Sequence, residues 1–97
     1  MPRIDAIGVT STDLPRTIAF YTLLGFDFPA FDPEAVHVEP ETPPGAPRLM
    51  IDTAALMEEI TGRAPVPASH SAFALLCDSA AEVDSLTAAV ADAGFKV

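Results

Sequence analysis

Apolar residues follow two different periodicities along this chain, and these predict strands and helices in turn. Larger apolar residues alternate with small ones from Ile4 to Thr10, which predicts a strand with one packed face. Apolar residues then recur every three or four positions, which predicts an amphipathic helix. Asp13 is the expected N-cap of this helix, and Gly25 lies just past its expected end.

Three short strands are expected after the first helix. They cover residues 26–31, 35–39 and 48–53. Pro29 weakens the first of them, and a loop with four prolines at 40–47 connects the last two. A short helix is expected at 55–60, before a linker that reaches residue 69. The order up to residue 54 is therefore that of a βαβββ module.

The order of predicted elements in the first module repeats from about residue 70. A predicted strand at 70–77 is followed by a capping box, Ser79 with Glu82, and by a second amphipathic helix. That helix ends in Gly94-Phe95, as the first ends in Gly25-Phe26. We therefore expect an α+β fold with a complete βαβββ module at 1–54, a linker at 55–69 and the β-α start of a second, truncated module at 70–97.

Composition and charge restrict the possible partners. The 97 residues carry a formal net charge of -9, whereas nucleic acids and anionic membranes require a basic surface. The apolar stretches are far shorter than the roughly 20 residues of a membrane span. Cys77 is the single cysteine, which precludes an internal disulfide and suits a reducing compartment. We expect a cytoplasmic protein with no nucleic-acid or membrane partner.

The order and spacing of several short motifs resemble the vicinal oxygen chelate superfamily, which includes glyoxalase, bleomycin-resistance and extradiol dioxygenase proteins. The motifs are Ile4–Val9 with Asp13-Leu14 and Phe20-Tyr21, Leu24-Gly25-Phe26, Arg48–Thr53, His70–Leu75, Cys77-Asp78-Ser79 and Ala93-Gly94-Phe95. The segment Arg48–Thr53 resembles the fourth strand of a largely uncharacterised branch of that superfamily. The resemblance implies paired βαβββ modules whose sheets curl around a cleft, a homodimer, and often one divalent metal acting as a Lewis acid.

The resemblance also indicates where metal ligands would lie. The first-strand position matches Ala6, which cannot bind a metal, and the fourth-strand position falls at or near Asp52. The fifth-strand position matches His70, and a further ligand would lie beyond Val97. A catalytic metal usually takes three protein ligands, so we expect no cofactor, with a divalent metal on His70 and Asp52 as the alternative.

Alternation along the strands suggests a ligand-binding surface. Asp52 shares a face with Met50, and the small residues of the first strand lie on the cleft side. The candidate ligand-binding residues are His70, Asp52, Met50, Gly8 and Thr10.

Ordinary structural roles compete with these assignments. His70 is also suited to a half-exposed position at a strand start, and Asp52 to a local backbone hydrogen bond at a strand end. His37, between Glu34 and Glu39, is expected to be solvated.

Three functions remain open from the sequence. The first is a metal-free protein of the drug-sequestering or sensor kind that binds a small molecule in an apolar cleft. The second is a lyase or dioxygenase that uses a divalent metal. The third is an inactive truncated fragment with open strand edges.

Overall fold

The computed structural model describes residues 1–65 and 74–96. The chain divides into two compact units, residues 1–65 and 66–97. The elements of the first unit are β1 (Ala6–Ser11), α1 (Leu14–Leu23), β2 (His37–Val38), β3 (Arg48–Thr53) and α2 (Ala54–Thr61). The described part of the second unit contains α3 (Ala80–Asp92). The expected α+β class is confirmed.

The first unit is built on a three-stranded sheet with the order β1-β3-β2. The strands β1 and β3 are parallel, with Ala6 opposite Arg48 and Ser11 opposite Thr53. Parallel strands need a long crossover connection, and α1 lies within it. The strand β2 is antiparallel to β3, which places His37 opposite Asp52.

The core of the first unit lies between α1 and one face of the sheet. The buried cluster consists of Leu14, Ile18, Tyr21, Val38, Leu49 and Ile51. The three α1 members follow the helical spacing in the sequence, and Leu49 and Ile51 alternate along β3. Ile51 is completely buried because β3 is the central strand.

Side chains at the end of β1 set the start of α1. The Asp13 carboxylate accepts a hydrogen bond from the Arg16 N–H at 3.2 Å, which confirms Asp13 as the N-cap. The buried Ser11 hydroxyl accepts from the Asp13 N–H and bonds the Thr17 hydroxyl at 2.6 Å. These contacts satisfy the polar groups where the chain turns from sheet to helix.

The prediction of a strand at 26–31 is wrong. Pro29 has no N–H to donate to a neighbouring strand. One backbone hydrogen bond, from the Glu41 N–H to the Asp27 carbonyl at 2.7 Å, joins the segment to the loop at 40–47. Its phenylalanines, Phe26 and Phe28 among them, still pack against the core cluster. The segment therefore contributes partly buried side chains to the core without forming the predicted strand.

The strand expected at 35–39 is shorter than predicted. Only His37 and Val38 pair with β3, and Val36 is 47% exposed whereas Val38 is buried. The strand at 48–53 and the short helix near 55–60 are confirmed as β3 and α2. Gly62 ends α2 in the left-handed conformation, with φ 82°.

The second unit confirms Ser79 as the N-cap of α3, while the Glu82 side chain bonds one residue earlier than in a capping box. The Ser79 hydroxyl accepts from the Glu82 N–H at 3.1 Å, and the Glu82 carboxylate accepts from the Asp78 N–H at 3.3 Å. The first half of the strand predicted at 70–77 lies outside the described residues, and residues 74–77 are not in a strand. No helix in the described ranges is long and apolar enough to cross a membrane.

Candidate functional site

The sheet face opposite the core carries small and polar side chains, and we refer to it as the open face. Strand pairing places Gly8 opposite Met50 and Thr10 opposite Asp52. Because alternate residues of a strand share a face, the open face consists of Ala6, Gly8, Thr10, His37, Arg48, Met50 and Asp52.

A histidine links two carboxylates at one end of this face. The Nδ1 atom of His37 lies 2.5 Å from Oδ1 of Asp52, and its Nε2 atom lies 2.8 Å from Oε2 of Glu39. The Asp52 side chain is 15% exposed and that of Glu39 27%, so both carboxylates are partly withdrawn from water. Each ring nitrogen of His37 thus lies within hydrogen-bonding distance of a carboxylate oxygen.

The same contacts change the acidity of His37. Hydrogen bonds to Glu39, and then to Asp52, raise the pKa of His37 above its ordinary value, and the two negative charges act in the same direction. Burial works against them by a smaller amount. The charged form of the ring is therefore favoured in the folded protein.

Arg48 extends this arrangement across the sheet. Its guanidinium lies 3.5 Å from Glu39 Oε2 and 3.3 Å from Asp5 Oδ2. The Arg48 Nη2 atom also lies 3.9 Å from the Met50 sulfur. Acidic and basic side chains thus alternate in a connected row from Asp5 to Asp52, and Glu39 is shared by both cations.

Gly8 leaves an opening in the middle of the face. A Cβ atom at this position would approach only the Met50 Cε methyl, at 4.0 Å, and Gly8 is not among the glycines with positive φ. Neither the backbone conformation nor the local packing therefore requires glycine here. Glycine in a strand costs roughly 0.5–1 kcal/mol relative to alanine, and it often marks the close approach of a ligand or another backbone.

The structure brings together four of the five residues predicted to bind a ligand. Gly8, Thr10, Met50 and Asp52 lie on adjacent strands of one face. His70 lies outside the described residues.

The sequence analysis missed the remaining polar residues of the face. The structure places His37, whose side chain is 40% exposed as expected for a solvated residue, between two carboxylates, and Arg48 beside Glu39. The nearness of His37 to Glu39 in the sequence was a signal, but nothing local could reveal Asp52, which is fifteen positions away.

The described residues do not fit the metal that the resemblance implies. Ala6 offers no donor atom, and the residue opposite it is Arg48, whose positive charge opposes a cation. Asp52 pairs with Thr10, four positions further along β1, which corresponds to roughly 13 Å. Within residues 1–65 and 74–96, no group of three or more His, Cys, Asp or Glu side chains is arranged to hold a metal ion.

Two solved structures resemble this chain. A hypothetical protein from S. aureus, SA1046, superposes with a TM-score of 0.74 at 19% identity, covering 97% of this chain and 70% of that protein. A glyoxalase/bleomycin resistance protein/dioxygenase from Nocardioides gives a TM-score of 0.62 at 25% identity, covering 99% of this chain and 64% of that protein. The chain thus spans about two thirds of the length of each.

The comparison with families identifies the chain more directly. No curated protein matches it. The family model described as Glyoxalase/Bleomycin resistance protein/Dioxygenase superfamily matches residues 3–97, which is nearly the whole sequence. The chain therefore belongs to the glyoxalase/bleomycin resistance protein/dioxygenase superfamily.

Proposed function

We propose that this chain binds a small organic molecule on the open face of its sheet, without a metal ion. The observation that carries the proposal is the opening at Gly8, where a side chain would fit but none is present. A folded protein gains strand stability from a larger residue at such a position, so the glycine needs another reason. Space for a ligand beside Met50 supplies one.

The side chains around Gly8 suggest what kind of molecule would bind. Ala6 and Met50 offer apolar contacts, and methionine adapts its shape to different ligands. The Thr10 hydroxyl and the Asp52 carboxylate accept hydrogen bonds at one end. Together with the net charge of -9, this favours a neutral or cationic ligand that carries a donor group.

The proposal can be tested by NMR with a set of small aromatic and aliphatic amines and amides as probes. The expected result is that bound fragments shift the amide signals of Gly8 and Thr10 and the methyl signal of Met50. A Gly8→Val variant should keep or increase the free energy of unfolding, because valine favours strands, while its fragment affinity falls about tenfold, or 1.4 kcal/mol.

An Ala55→Val variant provides the control, because Ala55 is an exposed residue of α2. It adds the same side chain on a helix rather than beside Met50 in the sheet, and it should leave fragment affinity unchanged. Equal affinities for wild type and Gly8→Val, or shifts confined to other residues, would refute the proposal.

A divalent-metal lyase or dioxygenase is the alternative that family membership supports. It would need a metal at Asp52 or His70, and an Asp52→Asn variant would then lose metal content and turnover together. Native mass spectrometry of the purified protein separates the two functions, because it reports bound metal, bound ligand and assembly at once. We propose a metal-free homodimer in the cytoplasm. An inactive fragment would instead aggregate through open strand edges.

A further inference from the structure

We propose that Met50 is a site of reversible oxidation by peroxide and that Arg48 directs the added oxygen to one side of its sulfur. The inference concerns the chemistry of one side chain on the open face. It does not depend on whether that face binds a small molecule.

The surroundings of Met50 leave room beside its thioether. Met50 is partly buried on the central strand β3, and the residue opposite it on β1 is Gly8. A Cβ atom placed on Gly8 would come no closer than 4.0 Å to the Met50 Cε methyl. Because Gly8 has no side chain, space is available there for one added oxygen atom.

Arg48 supplies a hydrogen-bond donor next to the sulfur. Its Nη2 atom lies 3.9 Å from the Met50 sulfur and 3.3 Å from Asp5 Oδ2, while Nη1 lies 3.5 Å from Glu39 Oε2. A guanidinium group carries five N–H donors, two of them on Nη2, so one can bond Asp5 while the other serves the sulfur. A thioether is a weak acceptor, whereas a sulfoxide is polar. Oxidation therefore converts a weak contact into a hydrogen bond to a charged group, which is the stronger kind.

The reaction transfers one oxygen atom. A lone pair of the sulfur attacks one oxygen of hydrogen peroxide, so that an S–O bond forms and the O–O bond breaks. The sulfur loses two electrons and the peroxide gains them. The other oxygen leaves as hydroxide and takes the proton of the new S–O–H group, which gives the sulfoxide and water. A donor beside the reacting atoms stabilises the negative charge that develops on the departing oxygen, and the Arg48 guanidinium is such a donor.

The position of Arg48 predicts the stereochemistry of the product. The two lone pairs of a methionine sulfur give two sulfoxide epimers, and a separate reductase removes each of them. Arg48 lies on one side of the Met50 sulfur, so oxygen should be added mainly to the lone pair that faces it. One hydrogen bond of ordinary net strength corresponds to roughly a fivefold excess of one epimer.

The test oxidises the folded protein with dilute hydrogen peroxide and then measures both epimers at each methionine. An Asp-specific protease separates the three methionines, since Asp5 and Asp52 lie between them. The peptides are treated with either epimer-specific reductase, and the remaining sulfoxide is quantified by mass spectrometry. Met1 is fully exposed and should give equal amounts of the two epimers, whereas Met50 should give about a fivefold excess of one.

Three variants show which features are responsible. Arg48→Ala should remove the excess at Met50. Arg63→Ala removes the same charge from an exposed position beyond α2 and should keep the excess. Gly8→Val should slow the oxidation of Met50 relative to that of Met57, the other partly buried methionine, because valine fills the space beside the sulfur.

Three outcomes would overturn the inference. Equal epimers at Met50 in wild type would mean that nothing directs the oxygen, and this result needs no variant to fold. An excess that persists in Arg48→Ala would assign the direction to the sheet rather than to the arginine. Oxidation of Met57 before Met50 in wild type would mean that the open face does not expose the sulfur to peroxide.

Discussion

At the scale of single residues, the charges on and beside the open face are arranged in pairs. His37 is shared between Asp52 and Glu39, and Arg48 between Glu39 and Asp5. Exposed pairs of this kind each contribute little, typically below about 1 kcal/mol, since water screens them. Asp52 is the least exposed of the five, so its contact with His37 should depend most on the charge of the ring.

The pH dependence of stability should reveal that contact. The pKa of His37 is raised above its ordinary value of 6.5 in the folded protein. The stabilisation is therefore fully present below the pKa of the unfolded chain and is lost as the pH rises through the folded pKa. Urea unfolding should show that wild type is more stable than His37→Gln at mildly acidic pH and that the difference shrinks in alkaline solution. A difference that does not change with pH would contradict this assignment.

At the scale of secondary structure, the helices α1 and α3 end in the same way. Gly25 and Gly94 have φ values of 99° and 88°. The next residue in each case, Phe26 or Phe95, donates its N–H to the carbonyl five positions earlier, at 3.1 and 3.2 Å. This is the bonding of a Schellman motif, and it satisfies a carbonyl that the helix leaves unpaired. After α1, the Phe26 ring also packs edge-on against the Tyr21 ring, with centroids 5.6 Å apart.

Two glycine-to-alanine substitutions should therefore have opposite effects. Gly25→Ala should destabilise the protein by about 1–2 kcal/mol, because alanine is strained at positive φ although nothing obstructs its Cβ. Gly8→Ala should stabilise it by roughly 0.5–1 kcal/mol, because a strand favours alanine over glycine. Urea unfolding monitored by circular dichroism gives both values. The explanation of the helix end would be wrong if Gly25→Ala proved neutral.

At the scale of the whole molecule, β3 separates two environments. Leu49 and Ile51 face the buried cluster under α1, while Met50 and Asp52 face the open side. The side chains of the core and those that we propose to bind a ligand thus lie on opposite faces of one strand. A substitution at Gly8 therefore leaves the side chains of the buried cluster unchanged.

The core side should be sensitive to cavities. Ile51→Ala should cost about 2–5 kcal/mol, because Ile51 is completely buried and the surroundings cannot collapse fully into the space. Ile60→Ala is the matched control: Ile60 is 67% exposed on α2, and the change should be nearly neutral. The single tyrosine, Tyr21, lies in the core cluster, so its fluorescence reports the unfolding directly. Equal costs at the two positions would contradict the described core.

Local chemistry by itself determined a large part of this protein. The caps Asp13 and Ser79, the glycines that end the helices and the apolar stripe of α1 were all predicted correctly. Each depends on residues within a few positions of one another, where side-chain and backbone preferences act directly. Alternation likewise placed Met50 and Asp52 on one face of β3.

Only the tertiary structure decided which segments pair and in which register. The sequence predicted a strand at 26–31, yet its phenylalanines are partly buried against the core without joining the sheet. Packing and backbone pairing are separate requirements, and Pro29 has no N–H for a ladder. The sequence did not reveal the contact between His37 and Asp52 for the same reason, because it too depends on strand pairing. Asp52 lies across a proline-rich loop from His37, and the register that joins them arises from the antiparallel pairing of β2 with β3 rather than from either segment alone.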